Sequence, residues 1–224
     1  EIARQKSGII ARDNHVVMFE QPREVMDVVR SASSRMNAQL ESAKLQDIAG
    51  RNTTIAEYQQ RNWSLAYAAY RYIANRDRLL LPDDTQCLET MQVTIPGRME
   101  VLDVGNTTVI LDGAHNEQKM RTFWASFEHK FPGVRPTVVL AMKQGKELAA
   151  VVPMLQNYSD DIIATMATTM QDMAIGAIDP SDIATALGDG TEVIRNSVDA
   201  LEAAVHRNAI VVVTGSLYLV SEIR

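Results

Sequence analysis

From Asp112 to Asn116 the chain sets a carboxylate, two small residues, an imidazole and an amide in immediate succession, Asp-Gly-Ala-His-Asn. Such a set can orient a polar ligand and move a proton, and Gly113 allows the backbone to come close to whatever binds. Arg98 stands a hairpin's length earlier, and its fixed planar charge suits a phosphate. A further group lies near the chain's end. There Thr214, Gly215 and Ser216 separate an apolar run from a last helical segment, so that backbone N–H groups at a helix start form a ready anion site. Each feature also has a plain structural reading. Asp112 or Asn116 can cap the helix that follows, His115 can be an ordinary surface histidine, and Ser216 can be an N-cap with Gly215 present for close packing.

The elements that must position these residues are legible in the hydrophobic pattern. Met99–Val104 and Thr107–Leu111 read as a β-hairpin joined by Gly105 and Asn106, and the returning strand delivers Asp112 to its carboxyl end. The helix Glu117 to Lys130 follows. Strands are expected at 137–142, 161–165, 192–195 and 209–214, alternating with helices near 146–156, 180–187, 198–206 and 217–224. Near-continuous apolar strands between amphipathic helices predict a doubly wound, mostly parallel Rossmann-like sheet over residues 95–224, with ligands at its carboxyl edge. Upstream, residues 1–94 read as a smaller α/β part. A short helical stretch ends at Gly8, a strand runs from His15 to Phe19, and a helix starts behind Pro22. A loop with a short strand follows from Gln39 to Glu57, then a long helix from Tyr58 to Leu80, with a linker toward Ile95.

Composition narrows the function. The 224 residues are 46% hydrophobic and carry a net charge of −6, with no gathering of Lys and Arg that could displace counterions from a nucleic acid. Trp63 and Trp124 therefore read as packing residues, and the eleven methionines as core filler. Met166, Met170 and Met173 fall in a stretch, 164–178, that could form a loop over the site. Cys87 is the single cysteine, which fits a reducing cytoplasm, and no apolar run reaches the roughly 20 residues that span a bilayer. The expected protein is cytoplasmic, monomeric, and acts on small molecules rather than nucleic acid or membranes. Glu1 is not a methionine and already lies within a helical pattern, so the natural start is expected upstream.

Four separated stretches together resemble one family. Ile95–Glu100 (IPGRME) with Ile110–Asn116 (ILDGAHN) is similar to the paired motif that opens the C-terminal domain of folylpolyglutamate and dihydrofolate synthases, relatives of the muramyl-peptide ligases. Val213–Arg224 resembles the last strand and helix of that domain. Glu1–Ile10 resembles the pattern E-I-A-x-E-K-A-G-I, and Tyr58–Ala69 resembles an H-Q-x-x-N-A-x-x-A helix. The resemblance implies an ATP- and Mg²⁺-dependent ligase that phosphorylates a folate or dihydropteroate carboxylate and lets L-glutamate displace the phosphate. It implies that the chain is a truncated central ATPase domain, residues 1–94, followed by a Mur-ligase-like C-terminal domain.

Position by position, Lys6 matches a lysine that is often carbamylated to give a magnesium-binding carboxylate. Asn62, with Gln59 one turn earlier, matches the reader of adenine. Arg98 matches an arginine on the ATP phosphates, Asp112 an aspartate near the ribose and that arginine, and His115 the histidine of the same cluster. Lys146 and Ser216 are expected at the incoming glutamate. Gln5, Ser7 and Tyr58 depart from the pattern, the stretch from Asn37 to Tyr58 is short, and no G-x-x-x-x-G-K-[ST] loop occurs. The chain alone is therefore expected to be inactive or nearly so, the phosphate loop either lying upstream of Glu1 or lost in a degenerate descendant. The alternatives are a muramyl-peptide-type ligase or a nucleotide-binding module that has lost catalysis.

Overall fold

The structure, a computed structural model, describes residues 1–46, 57–145, 148–168 and 176–224. The chain divides into two compact units, Glu1–Val93 and Thr94–Arg224.

The first unit is built on one βαβ crossover. Strands β1 (His15–Phe19) and β2 (Gln39–Ala43) pair in parallel, His15 opposite Gln39 and Phe19 opposite Ala43, with helix α2 (Arg23–Arg35) between them in sequence. A parallel pair needs such a crossover, because a tight turn cannot reverse the chain twice. Helix α2 buries Met26, Val29 and Ala32 at helical spacing, and Val29 and Ala32 pack with Ile10 against Val16, Met18 and Leu40. Helix α1 (Ile2–Ser7) precedes this core, with Gly8 at its C-cap, and helix α3 (Glu57–Asp77) lies against β1.

One expectation needs correction here. The stretch between Leu81 and Ile95, read as a linker, contains helix α4 (Asp84–Met91). Asp83 and Gln86 form a reciprocal capping box at its start, and Cys87 and Met91, four residues apart, are buried. The Trp63 indole N–H donates to Thr90 Oγ1 over 3.0 Å and so ties α3 to α4, which makes Trp63 a packing residue. Pro82 and the two aspartates were turn signals in the sequence, and they are equally the signature of a helix start. The strand expected somewhere after Asn37 is β2, while residues 47–56 lie outside the described residues.

The second unit is the expected doubly wound sheet. Its strands are β3 (Glu100–Val104), β4 (Thr107–Leu111), β5 (Thr137–Leu140), β6 (Asp161–Ala164), β7 (Thr191–Val193) and β8 (Ile210–Thr214). They stand in the order β3-β4-β8-β5-β6-β7, all pairs parallel except the β3–β4 hairpin. Of the two turn residues only Gly105 has a positive φ, +62°. Helices α5 (Glu117–Lys130), α6 (Leu148–Tyr158) and α7 (Pro180–Leu187) lie side by side. So do α8 (Ser197–Val205) and α9 (Leu217–Ile223).

The strand period of two sorts the core. Val109, Leu111, Val139, Ile163, Val211 and Val213 pack with Ala200, Ala204, Leu219 and Val220 of α8 and α9. The intervening Ile110, Val138, Leu140 and Val212, equally buried, serve the other face. There α5 contributes Phe123, Trp124 and Phe127, and the Trp124 ring stacks on Tyr158 at 4.8 Å, so this tryptophan too is packing. Because β8 is inserted between β4 and β5, the end of the last strand lies between the ends of two strands from much earlier in the chain.

Two glycines test this geometry. Gly105 and Gly215 both hold positive φ, but a Cβ on Gly105 meets nothing within 4 Å, whereas one on Gly215 would lie 2.3 Å from the Ala141 carbonyl oxygen. Gly105→Ala is expected to cost about 1 kcal/mol, the left-handed penalty alone. Gly215→Ala adds overpacking and should cost about 3 kcal/mol or more. Urea midpoints of the two variants compared with wild type would show the difference.

Candidate functional site

The loop ahead of the hairpin, Ile95 to Met99, and the segment behind it, Asp112 to Asn116, meet at the carboxyl end of β4. Two buried carboxylates hold them. Asp112 accepts from the Met99 N–H and from the Ala114 N–H, each over 2.8 Å. Glu100 accepts from the Gly97 N–H over 2.8 Å and from Arg224 Nε over 2.9 Å. Gly97 returns its carbonyl to the Gly113 N–H at 3.0 Å and to Arg98 Nη1 at 3.2 Å. Arg98 is thus flanked by two residues in the left-handed region, Gly97 at φ +67° and Met99 at +49°. The conformation is unfavourable for methionine, and the bond from its N–H to Asp112 offsets the strain.

Gly113 has a contact role. A Cβ there would sit 2.2 Å from Leu217 Cδ2 and 2.9 Å from Arg98 Nη1, so only glycine admits both the α9 leucine and the guanidinium. Gly215 closes the arrangement by donating its N–H to the Ala114 carbonyl at 2.9 Å. The ends of β4 and β8 are thereby joined, and Arg98, Asp112, His115 and Ser216 come together on one rim.

The protonation pattern of His115 follows from its partners. Nδ1 lies 2.8 Å from the Gly113 carbonyl, which can only accept, so Nδ1 carries the hydrogen. Nε2 then accepts from Lys119 Nζ at 3.2 Å. Lys119 was missed in the sequence, although a lysine four residues beyond the histidine at a helix start was the available signal. Glu100 was missed as well. Its signal was an acidic residue opposite the apolar Leu111 in the hairpin register. Lys143, just past β5, brings a further cation to the carboxyl edge, with Nζ 5.9 Å from the Tyr218 ring centre.

Several plain structural roles are also present. Asn116 caps α5 by accepting from the Lys119 N–H at 2.9 Å, and buried Ser216 caps α9 by accepting from the Tyr218 N–H at 3.2 Å. Lys146 lies outside the described residues, as do Met170 and Met173.

In the first unit, Lys6 is exposed on α1 and borders a hollow of about 580 Å³ whose other polar lining residues are Ser7, Asn14, His15 and Gln21. His15 stacks on Tyr72 with ring centres 3.8 Å apart and donates from Nε2 to Glu41 at 2.9 Å, while Arg71 reaches the same carboxylate at 2.7 Å. The His15 bond, against the opposing effect of burial and with help from Arg71, holds the Glu41 carboxyl below its ordinary range. Gln59 and Asn62 lie one turn apart on α3, the first half-buried and the second exposed.

Burial alone would raise the Glu100 carboxyl, but the Arg224 and Gly97 hydrogen bonds outweigh it and lower the group below its ordinary value of 4.5. A carboxyl lowered by folding contributes stability that is complete above the unfolded value and lost as pH falls through the folded one. Glu100→Gln should therefore flatten the loss of stability in mild acid, seen as a shallower fall in Tm from pH 5 toward pH 3 than wild type shows. Asp112→Asn keeps only one accepting oxygen for two backbone donors. It should cost about 2 kcal/mol in urea unfolding.

Comparison with known proteins bears on the fold and the family. The family model described as dihydrofolate synthetase, C-terminal domain, matches residues 97–224. A dihydrofolate synthase/folylpolyglutamate synthase of Bacillus subtilis is 24% identical over 250 aligned positions, which cover 100% of this chain and 57% of the relative. Folylpolyglutamate synthase of Mycobacterium tuberculosis complexed with ADP has the same fold with a TM-score of 0.81 at 23% identity, over 99% of this chain and 57% of the other. A bifunctional folylpolyglutamate synthase/dihydrofolate synthase with Mn, AMPPNP and L-glutamate bound gives 0.75 at 18%, over 99% and 55%. The chain spans a little over half the length of these relatives. Since the matched residues run from the Gly97 loop through the whole second unit to α9, the chain belongs to the dihydrofolate synthetase C-terminal domain family.

Proposed function

We propose that the chain supplies the later part of a cytoplasmic, monomeric ATP-dependent ligase that joins L-glutamate to a folate or dihydropteroate carboxylate. The second unit is its C-terminal domain and Glu1–Val93 part of its central nucleotide domain. The observation that carries the reading is the meeting of Arg98, Asp112 and His115 at the joined ends of β4 and β8, within the region the family model matches. In a chain of net charge −6, three cationic ends, Arg98, Lys119 and Lys143, gather at one sheet edge, which is what a polyphosphate requires.

In the reaction a carboxylate oxygen of the folate attacks the terminal phosphorus of ATP and ADP leaves. The glutamate amine then attacks the acyl carbon, phosphate departs, and the amine's proton is lost. Arg98 would bear on the phosphates, its planar fork matching their oxygens. His115, held with Nε2 as acceptor, would serve the same cluster in proton movement. Asn62 with Gln59 would read the adenine, and Lys146 and Ser216 would hold the incoming glutamate. Asp112 would stay near the ribose while fixing the loop that bears Arg98.

The fit to magnesium is partial. No group of three or more His, Cys, Asp or Glu side chains suited to a metal occurs among the described residues. A magnesium ion commonly relies on phosphate oxygens and water, and Lys6, if converted to its carbamate, would add one hard oxygen ligand from this chain. Bound there, the ion would neutralise phosphate charge.

Among the described residues no helix is long and apolar enough to cross a membrane. Neither a membrane nor a nucleic acid is proposed as a partner. The folate reading is preferred to a muramyl-peptide substrate because the relatives reported above carry folate names.

The test is ATP-dependent addition of glutamate to dihydropteroate or a folate. It is run with the 224-residue chain and with the protein extended upstream to its relatives' length. The extended protein should turn over and the chain alone should not, and Arg98→Ala in the extended protein should raise the KM for ATP about tenfold or more. Turnover by the chain alone, or none by the extended protein with either acceptor, would reverse the proposal. In the second case, absence of ATP binding by calorimetry would favour a module without catalysis.

A further inference from the structure

We infer that Glu100 is the positioning residue for Arg98, acting through Gly97. The inference rests on the reading of Arg98 as a phosphate contact. Its ground is the way the arginine is mounted. The residue sits on a loop, with no helix or strand to fix its φ and ψ, yet both neighbouring residues are pinned through their N–H groups by carboxylates at the open end of the hairpin. Met99 is held by Asp112 and Gly97 by Glu100. The Glu100 side chain is only 6% exposed and begins β3, so its backbone is fixed by the pairing with Leu111. Its second oxygen takes Arg224 Nε, which keeps the carboxylate charged and leaves the first oxygen aimed at the Gly97 N–H.

The Gly97 carbonyl then receives Arg98 Nη1, so the same residue that Glu100 anchors through its N–H anchors the guanidinium through its carbonyl, across one Cα. Gly97 itself has no slack. A Cβ there would lie 2.9 Å from Val220 Cγ1, and its φ is +67°, so the loop has one seat on α9. An ordinary solvated arginine samples many rotamers, and fixing it beforehand removes an entropy that phosphate binding would otherwise have to overcome.

A merely structural glutamate would lower stability without singling out the nucleotide. The experiment is therefore a double-mutant cycle on the KM for ATP in the upstream-extended protein, with Tm measured to confirm folding. Glu100→Gln should raise the KM for ATP several-fold and leave the KM for glutamate unchanged. Combined with Arg98→Ala, it should add no further loss. In the 224-residue chain the Arg98 Nε–H resonance should shift and exchange faster in Glu100→Gln. Should that variant not fold, Arg224→Met, which spares the Gly97 acceptor, should give the same pattern at smaller amplitude.

Losses that multiply in the double variant would overturn the assignment, and so would a folded Glu100→Gln with unchanged KM for ATP and unchanged Arg98 resonance. If Arg98→Ala leaves the KM for ATP unaltered, the nucleotide role of Arg98 fails, and the arginine resonance still decides whether Glu100 holds it.

Discussion

The Asp112 carboxylate is the joint on which the second unit's rim depends. Each of its oxygens receives one backbone N–H, from Met99 on the loop ahead of the hairpin and from Ala114 on the turn behind it. Side-chain oxygens bonded to backbone donors are strong and directional when the acceptor is charged and out of water. Asp112 is 4% exposed, so the bonds are little weakened by competing solvent. One residue therefore fixes where Arg98 leaves the chain and where His115 begins.

A second carboxylate repeats the device one strand away. Glu100 does for the Gly97 N–H what Asp112 does for that of Met99, so the residues on either side of Arg98 are both held. The left-handed Met99 shows that the clamp bears load: a β or α backbone there would cost less locally, but it would turn the N–H away from Asp112. The glycines complete the logic by omission. Gly113 leaves room for Leu217 and the guanidinium, and Gly215 leaves room for the Ala141 carbonyl, so the ends of β4, β5 and β8 can lie side by side.

Charge is arranged in depth at this edge. The two carboxylates are buried and turned toward peptide N–H groups, while Lys119 lies beside His115 and Lys143 follows the end of β5 near the Tyr218 ring. The anions thus stiffen the frame by holding peptide N–H groups. His115 is oriented by the same principle: a carbonyl fixes one ring nitrogen, and the other is left as an acceptor beside Lys119.

Much of this was written locally. Near-continuous apolar strands between amphipathic helices, the Gly105–Asn106 turn and the Ile–Val run before Gly215 sufficed for a parallel doubly wound sheet with a hairpin at its entrance, because burial on both faces leaves short unbroken apolar runs that sequence alone displays. The cluster at Asp112–Asn116 and the arginine at 98 were legible by residue type. Helix α4 was not, since a proline followed by aspartates marks a turn and a helix start alike, and only the burial of Cys87 and Met91 selects between them. The partners of the rim were equally hidden. Gly97 with Gly113, Arg224 with Glu100, and Gly215 with Ala114 are joined across as many as 124 positions, and no local pattern encodes which distant donor a buried carboxylate will meet. Sequence determined the elements and the chemistry available at their ends. The insertion of β8 between β4 and β5 decided which ends face one another, because unsatisfied peptide groups at the sheet's edge can be paired only once that strand order exists.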